Sequence, residues 1–255
     1  MNFTAPADPS ISIELYASQR HSGLADFFSS SRTDNLSSYA LILTNVSSMD
    51  IVGLATRWIV TDRDGQQRMT KLSFDSFGDS VAARQTVIPA GTQLIATASG
   101  FKHVKVQPAT GFVFGSNSRM FGWGRGQFVP VPDLDAAQSV TAVVDTIIFV
   151  DGRVIGPDES NLVGHINALS SAFKTVAQKL RDAISAGNFE SVLRDFASTR
   201  SSLRRFDDDP AAFWTAMEAE RMLRFPAPSI AGRLQQLEVQ GAERIAPLAF
   251  IARPA

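Results

Sequence analysis

The sequence predicts an α+β fold: an antiparallel immunoglobulin-like β-sandwich over residues 8–152, followed by a helical region over 156–240 packed on it or projecting from it. Three observations predict this. The first half carries short apolar runs with a period of two, separated by turn residues. The second half carries apolar residues every three to four positions, opened and closed by capping residues. Between the halves lies one continuous switch. The run Val140 to Val150 passes through Asp151-Gly152-Arg153-Val154-Ile155-Gly156-Pro157-Asp158 into a seam of Leu162, Ile166, Leu169, Phe173, Val176, Leu180 and Ile184. A change of period from two to about 3.5 is where strand gives way to helix.

Ile11 to Tyr16 alternates apolar and polar residues, and Tyr39 to Val46 is a more fully apolar run ending at Ser47-Ser48. Ile51 to Val60 follows, then a turn at Asp62-Arg63-Asp64-Gly65 and a strand from Arg68 to Phe74. Val87-Ile88-Pro89-Ala90-Gly91 turns the chain into Gln93 to Ala98. Lys102 to Val106 alternates with its basic residues outward, and Val140 to Val150 closes the set. Strands at this spacing suggest a sandwich of immunoglobulin type, with Trp58 as an inter-sheet core residue. Leu24 to Ser29 reads as a helical turn, and Gly111 to Gln127 as a loop.

In the second half, Asp158 after Pro157 caps a first helix that runs to Gly187. Asn188 caps a second carrying Phe189, Val192, Leu193, Phe196 and Leu203. Asp209 followed by Pro210 opens a third with Phe213, Trp214, Met217 and Leu223, which Pro226 and Pro228 stop. Ile230, Leu234 and Leu237 make a short fourth helix, and residues 241–255 a docked tail in which Leu248 to Ile251 can pair as a strand. The seam of the first helix lasts about three heptads without clear flanking charge pairs, so it reads as the core face of a helix packed in its own domain.

A hydrophobic content of 44% with 19% charged residues is that of an ordinary globular chain. A net charge of −1 gives no basic field to gather nucleic acid or anionic lipid, so neither is expected as a partner. The chain has no cysteine, which removes disulfides, thiolate metal sites and thiol nucleophiles. No apolar run is long enough to span a bilayer. The start Met1 to Pro6 lacks the basic and apolar regions of a secretory signal, so the compartment is unassigned and cytoplasmic by default.

Candidate chemistry is sparse. Asp62-Arg63-Asp64-Gly65 resembles part of a calcium loop, but the oxygen ligands that should follow are missing, and an Asp-Gly hairpin turn accounts for it. Asp145, Asp151, Asp158 and His165 gather around the strand-to-helix switch, where carboxylates could perform acid–base or metal work. Asp151-Gly152 already reads as a turn and Asp158 as a cap, which leaves Asp145 without a structural explanation. By strand alternation its side chain shares a face with Val143 and Ile147, where it pairs with an arginine, caps a neighbouring backbone or faces solvent. No nucleophile elbow, phosphate loop or dinucleotide fingerprint occurs, and no cofactor is expected. The segment Gly111 to Phe128 interleaves aromatics and arginines with glycines, and Phe112, Phe114, Arg119, Phe121, Trp123 and Arg125 are residue types that anchor interfaces. The opposing reading folds these aromatics back over the end of the sandwich or into one more irregular strand.

The residues Asn45-Val46-Ser47-Ser48, Ile51 to Trp58 and Thr61-Asp62-Arg63-Asp64-Gly65, with the later spacing of Asp145, Phe149, Asp151-Gly152 and Gly156-Pro157-Asp158, resemble a group of uncharacterised bacterial proteins. That group pairs an immunoglobulin-like β-half with a helical C-terminal half. The resemblance implies the same fold and a bacterial origin, and carries no activity or catalytic residue with it. The functional expectation is a non-enzymatic binding or assembly module that meets a protein partner or a second copy through residues 111–128. The alternative is a metal-dependent hydrolase using the carboxylates at the β-to-helix junction.

Overall fold

The computed structural model describes residues 1–17, 20, 38–75, 88–98, 100–107, 111–115, 137–199, 209–224, 232, 234–235 and 249–250. It is a mixed α+β chain with its helices in the C-terminal half. Two compact units divide it. The first comprises Met1–Ser76, Gln85–Leu162 and Pro247–Ala255, and the second Phe77–Arg84 and Val163–Ala246.

The strands of the first unit are β1 (Asn2–Thr4), β2 (Ile11–Leu15), β3 (Leu41–Asn45), β4 (Ile51–Thr61), β5 (Gln67–Asp75), β6 (Gln93–Thr97), β7 (Gly100–Gln107), β8 (Gly111–Gly115), β9 (Ser139–Phe149), β10 (Arg153–Ile155) and β11 (Ala249–Phe250). One sheet runs in the order β11-β10-β9-β4-β5, with β1 also paired to β9. The other runs β2-β3-β6-β7-β8 and is antiparallel throughout. The first sheet corrects the expectation of purely antiparallel pairing. Its β1 lies parallel to β9 (Asn2 opposite Thr141), and β10 lies parallel to β11. Three residues of Asn-Phe-Thr are too short for a periodic signal, so β1 was not visible in the sequence. A second correction concerns Gly111–Gly115, expected as the start of a loop, which pairs with β7 as β8.

The two sheets share one buried apolar cluster. Ile11, Leu41, Leu43, Leu94 and Ala96 contribute from one sheet, and Ile51, Leu54, Trp58, Val60, Val140, Ala142, Val144, Ile147 and Phe149 from the other. Trp58 is fully buried there, as its place in the Ile51–Val60 run predicted. The β4–β5 hairpin closes on the expected Asp-Gly turn. Gly65 takes φ +79°, and Asp62 Oδ1 accepts from the backbone N–H groups of Asp64 and Gln66 at 3.0 and 2.9 Å. At the end of β3 the buried Asn45 side chain donates to the carbonyls of Met49 and Ile88 and accepts from the N–H and hydroxyl of Ser47. A buried amide whose donors and acceptors are all matched fixes that turn.

The helices of the second unit are α1 (Leu162–Ala186), α2 (Phe189–Thr199) and α3 (Pro210–Leu223). Leu169, Phe173, Val176, Ala177 and Leu180 of α1 form a cluster with Leu193 of α2 and with Ala219 and Met222 of α3. The seam ends one turn earlier than expected, because Ile184 is 42% exposed and Ala183 takes the buried position. α1 terminates at Gly187 (φ +71°), with Asn188 N–H donating to Ala183 O and Gly187 N–H to Ile184 O. That is the Schellman pattern glycine permits at low cost. α3 opens as predicted, with Pro210 in its first turn and the Asp209 carboxylate accepting from Ala212 N–H at 2.9 Å. Residues 24–29, Leu203 and most of the expected fourth helix lie outside the described residues.

Candidate functional site

A register slip creates the site. Down β9, Thr146 stands opposite Ala55 and Val144 opposite Thr56, so Asp145 is an extra residue with no partner across the ladder. Such a bulge reverses which residues face inward. Before it Val140, Ala142 and Val144 enter the core, and after it Ile147 and Phe149 do. The side chain of Asp145 is thereby turned out of the core, onto the face where β4 presents Arg57. Strand alternation had grouped Asp145 with both Val143 and Ile147. The bulge breaks that grouping, since Ile147 belongs to the core and Val143 does not.

Asp145 is fully buried there by the strap of residues 156–161 that leads into α1. Its Oδ1 accepts from Glu159 N–H at 3.1 Å, and its Oδ2 from Ser160 N–H at 2.8 Å and from the Thr146 hydroxyl at 3.1 Å. Arg57 Nε approaches Oδ1 to 3.4 Å. Three hydrogen bonds from the protein's own donors thus reach the carboxylate, and the guanidinium adds its charge at 3.4 Å without hydrogen-bonding through Nε. Of the outcomes the sequence left open for Asp145, two are realised at once: it pairs with an arginine and caps a neighbouring backbone.

The strap needs that anchor, because its backbone is unusual. Gly156 takes φ +104°, and Asp158 and Asn161 take φ +54° and +58° without being glycine. Left-handed residues of this kind persist where their surroundings dictate them. Asp158 Oδ1 accepts from Leu162 N–H at 2.8 Å, so Asp158 does serve the start of α1, from four residues upstream. Asp158 Oδ1 lies 3.0 Å from the same Thr146 hydroxyl, so the two carboxylates share its single proton. Outside, Arg57 Nη1 meets Glu159 Oε2 at 2.6 Å, joining β4 to the strap.

The structure therefore unites Asp145 and Asp158 through Thr146, and adds Arg57 and Glu159, which the sequence reading missed. One signal was available: Arg57 is the lone charge within the apolar run Ile51 to Val60, as Asp145 is within Val140 to Val150. Asp151 is committed elsewhere. It lies in the β9–β10 turn, where it accepts from Arg153 N–H and pairs with Arg153 Nε at 2.8 Å, while the Arg153 guanidinium sits 4.5 Å from the centre of the Phe149 ring. His165 is buried on α1, in the second unit. Among the described residues no group of three or more histidines, aspartates and glutamates could hold a metal ion.

The second candidate region begins at β8, the last strand of its sheet. Phe112 and Phe114 belong to it, opposite Val106 and Val104 of β7. Arg119, Phe121, Trp123 and Arg125 lie outside the described residues. No protein family, no curated protein and no solved structure matches the chain. The reading of function consequently rests on the two local geometries. Chemically they differ: the Asp145 carboxylate is buried and takes three hydrogen bonds from the protein's own donors, whereas among the described residues β8 pairs on one side only. No helix is long and apolar enough to cross a membrane among the described residues.

Proposed function

We propose that this protein is a non-enzymatic binding or assembly module with an immunoglobulin-like sandwich, of the kind its bacterial lookalikes pair with a helical half, and that it acts through protein–protein contacts at β8 and the aromatic–glycine segment that continues to residue 128. One observation carries the reading. Among the described residues β8 ends its sheet with the uncharged sequence Gly-Phe-Val-Phe-Gly, whereas β5, which ends the other sheet, carries Arg68, Lys71 and Asp75. Charged residues discourage pairing at an exposed edge, and an uncharged edge invites an added strand from another chain. The aromatics and arginines just beyond β8 are the residue types that concentrate binding energy.

The alternative, a hydrolase using junction carboxylates, loses support because Asp145 is fully buried and held by two strap N–H groups, and Asp151 belongs to a separate turn. The test is Trp123→Ala. A contact residue leaves thermal stability nearly unchanged while association, followed by light scattering across a concentration series, weakens by about 2 kcal/mol. Loss of roughly 3–5 kcal/mol of folding stability with association intact would make Trp123 a core residue and end this reading.

A further inference from the structure

We infer that the occupant of the β8 edge is a second copy of this chain, with β8 pairing antiparallel to β8 about a two-fold axis at Val113; the inference rests on the reading of β8 as the contact strand. The strand's own sequence carries it. Gly111-Phe112-Val113-Phe114-Gly115 reads the same in both directions, and Thr110 and Ser116, both hydroxyl residues, extend that symmetry at either end. In an antiparallel pair centred on Val113, this residue meets its own copy. Phe112 then stands opposite Phe114 of the second copy, and Gly111 opposite Gly115. No charge meets a like charge, and aromatic pairs across strands add to the main-chain hydrogen bonds.

Backbone phase selects the same register. Along an antiparallel strand, alternate residues turn both N–H and C=O to one neighbour, and the remaining residues turn theirs to the other. β7 takes one of these sets, so the other set faces the side on which β8 is unpaired among the described residues. Two copies pair where outward residues meet outward residues, which requires an axis through a residue and not between two. Of the registers centred on a residue, the one on Val113, the middle of the strand, pairs all of Gly111–Gly115.

Other self-pairings fit less well. Each strand of β2-β3-β6-β7-β8 is antiparallel to the next, so β2 and β8 run in the same direction. A head-to-tail joint from β8 to the β2 of another copy would be parallel and would leave both ends open to a filament. Pairing of β5 about its middle residue, Lys71, sets lysine against lysine. The two-fold joint at β8 continues the antiparallel pattern through both copies and closes.

The chain has no cysteine, so a single introduced thiol reports its own neighbour. The full chain carrying Val113→Cys should form a disulfide-linked dimer in high yield under mild oxidation, because opposed Cα atoms of an antiparallel pair lie about 4.5–5.5 Å apart. Phe112→Cys and Phe114→Cys should each cross-link poorly alone and well when mixed. Met69→Cys, partly exposed on β5, should not cross-link. Light scattering across a concentration series reads a second arm. Val113→Lys and Val113→Glu should each raise the dimer dissociation constant about tenfold or more, and mixing the two variants should restore association. Equal cross-linking at positions 112, 113 and 114 overturns the proposal, as do dimers that neither charge weakens. A chain that stays monomeric at every concentration overturns it too, while loss of binding to a different protein on Trp123→Ala would still uphold the contact reading. Should the charged variants not fold, as circular dichroism would report, the cysteine set decides alone.

Discussion

Gly156 lies against the backbone carbonyl of Asp145 so closely that a β-carbon at this position would overlap the carbonyl oxygen. The obstacle is main chain in the middle of a sheet, so it cannot swing aside as a flexible side chain can. The φ of +104° adds a second penalty for any other residue. Gly156→Ala should therefore destabilise the first unit by about 1–3 kcal/mol from the backbone conformation, with the overlap in addition. A urea melt followed by Trp58 fluorescence checks this, and an unchanged midpoint would show that the strap does not sit where described.

Asp145 and Asp151, which look alike in the sequence, should behave very differently. Asp145→Ala leaves two N–H groups, a hydroxyl and Arg57 facing a hole, a change that in buried ion pairs costs about 3–5 kcal/mol. Asp151→Ala alters a turn at the surface and should stay within about 0.5 kcal/mol. Equal effects in equilibrium denaturation would refute the structural role assigned to Asp145.

At the start of α3, Asp209→Ala removes the acceptor for Ala212 N–H and should cost about 1 kcal/mol. Asp209→Asn, which keeps a capping oxygen, should recover most of that loss. Amide exchange at Ala212 reads the effect locally, independent of the global melt.

The end of the α1 seam gives a fourth comparison. Leu180→Ala empties a fully buried position in the helical cluster and should cost about 2–5 kcal/mol. Ile184→Ala, one turn on at an exposed position, should change stability by less than about 0.5 kcal/mol. Thermal melts followed by helical circular dichroism separate the two, and similar losses would put Ile184 back in the seam.

Much of the fold was legible because its signals are local. Alternation located β2 to β7 and β9, the Asp-Gly turn located the β4–β5 hairpin, and Asp209-Pro210 located α3 to the residue. What was missed depends on contacts distant in sequence. β1 and β10 are three residues each and exist through their pairing with β9. The Asp145 bulge is a property of two strands in register, invisible in either one. The candidate site was legible by half. Two lone charges in apolar runs, Arg57 and Asp145, announced that each required a partner, but 88 positions separate them and nothing in either run names the other. Glu159 and Ser160 left no trace, since they contribute through backbone N–H groups that any residue carries.

The parallel pairing of Asn2 with Thr141 also imposes an order of assembly. Among the described residues every pairing in the sheet β2-β3-β6-β7-β8 lies within residues 11–115, so that sheet can form while the rest of the chain is still being made. The other sheet waits for β9, the strand on which β1, β4 and β10 all assemble, and then for residues 249–250. Pairings across such long sequence separations form slowly, because closing the loop precedes the contacts that reward it. Until β9 arrives, β1 and the β4–β5 hairpin, with its apolar β4, have no complete sheet to join. A newly made chain halted between residues 115 and 139 is therefore the species most prone to aggregate or to recruit a chaperone.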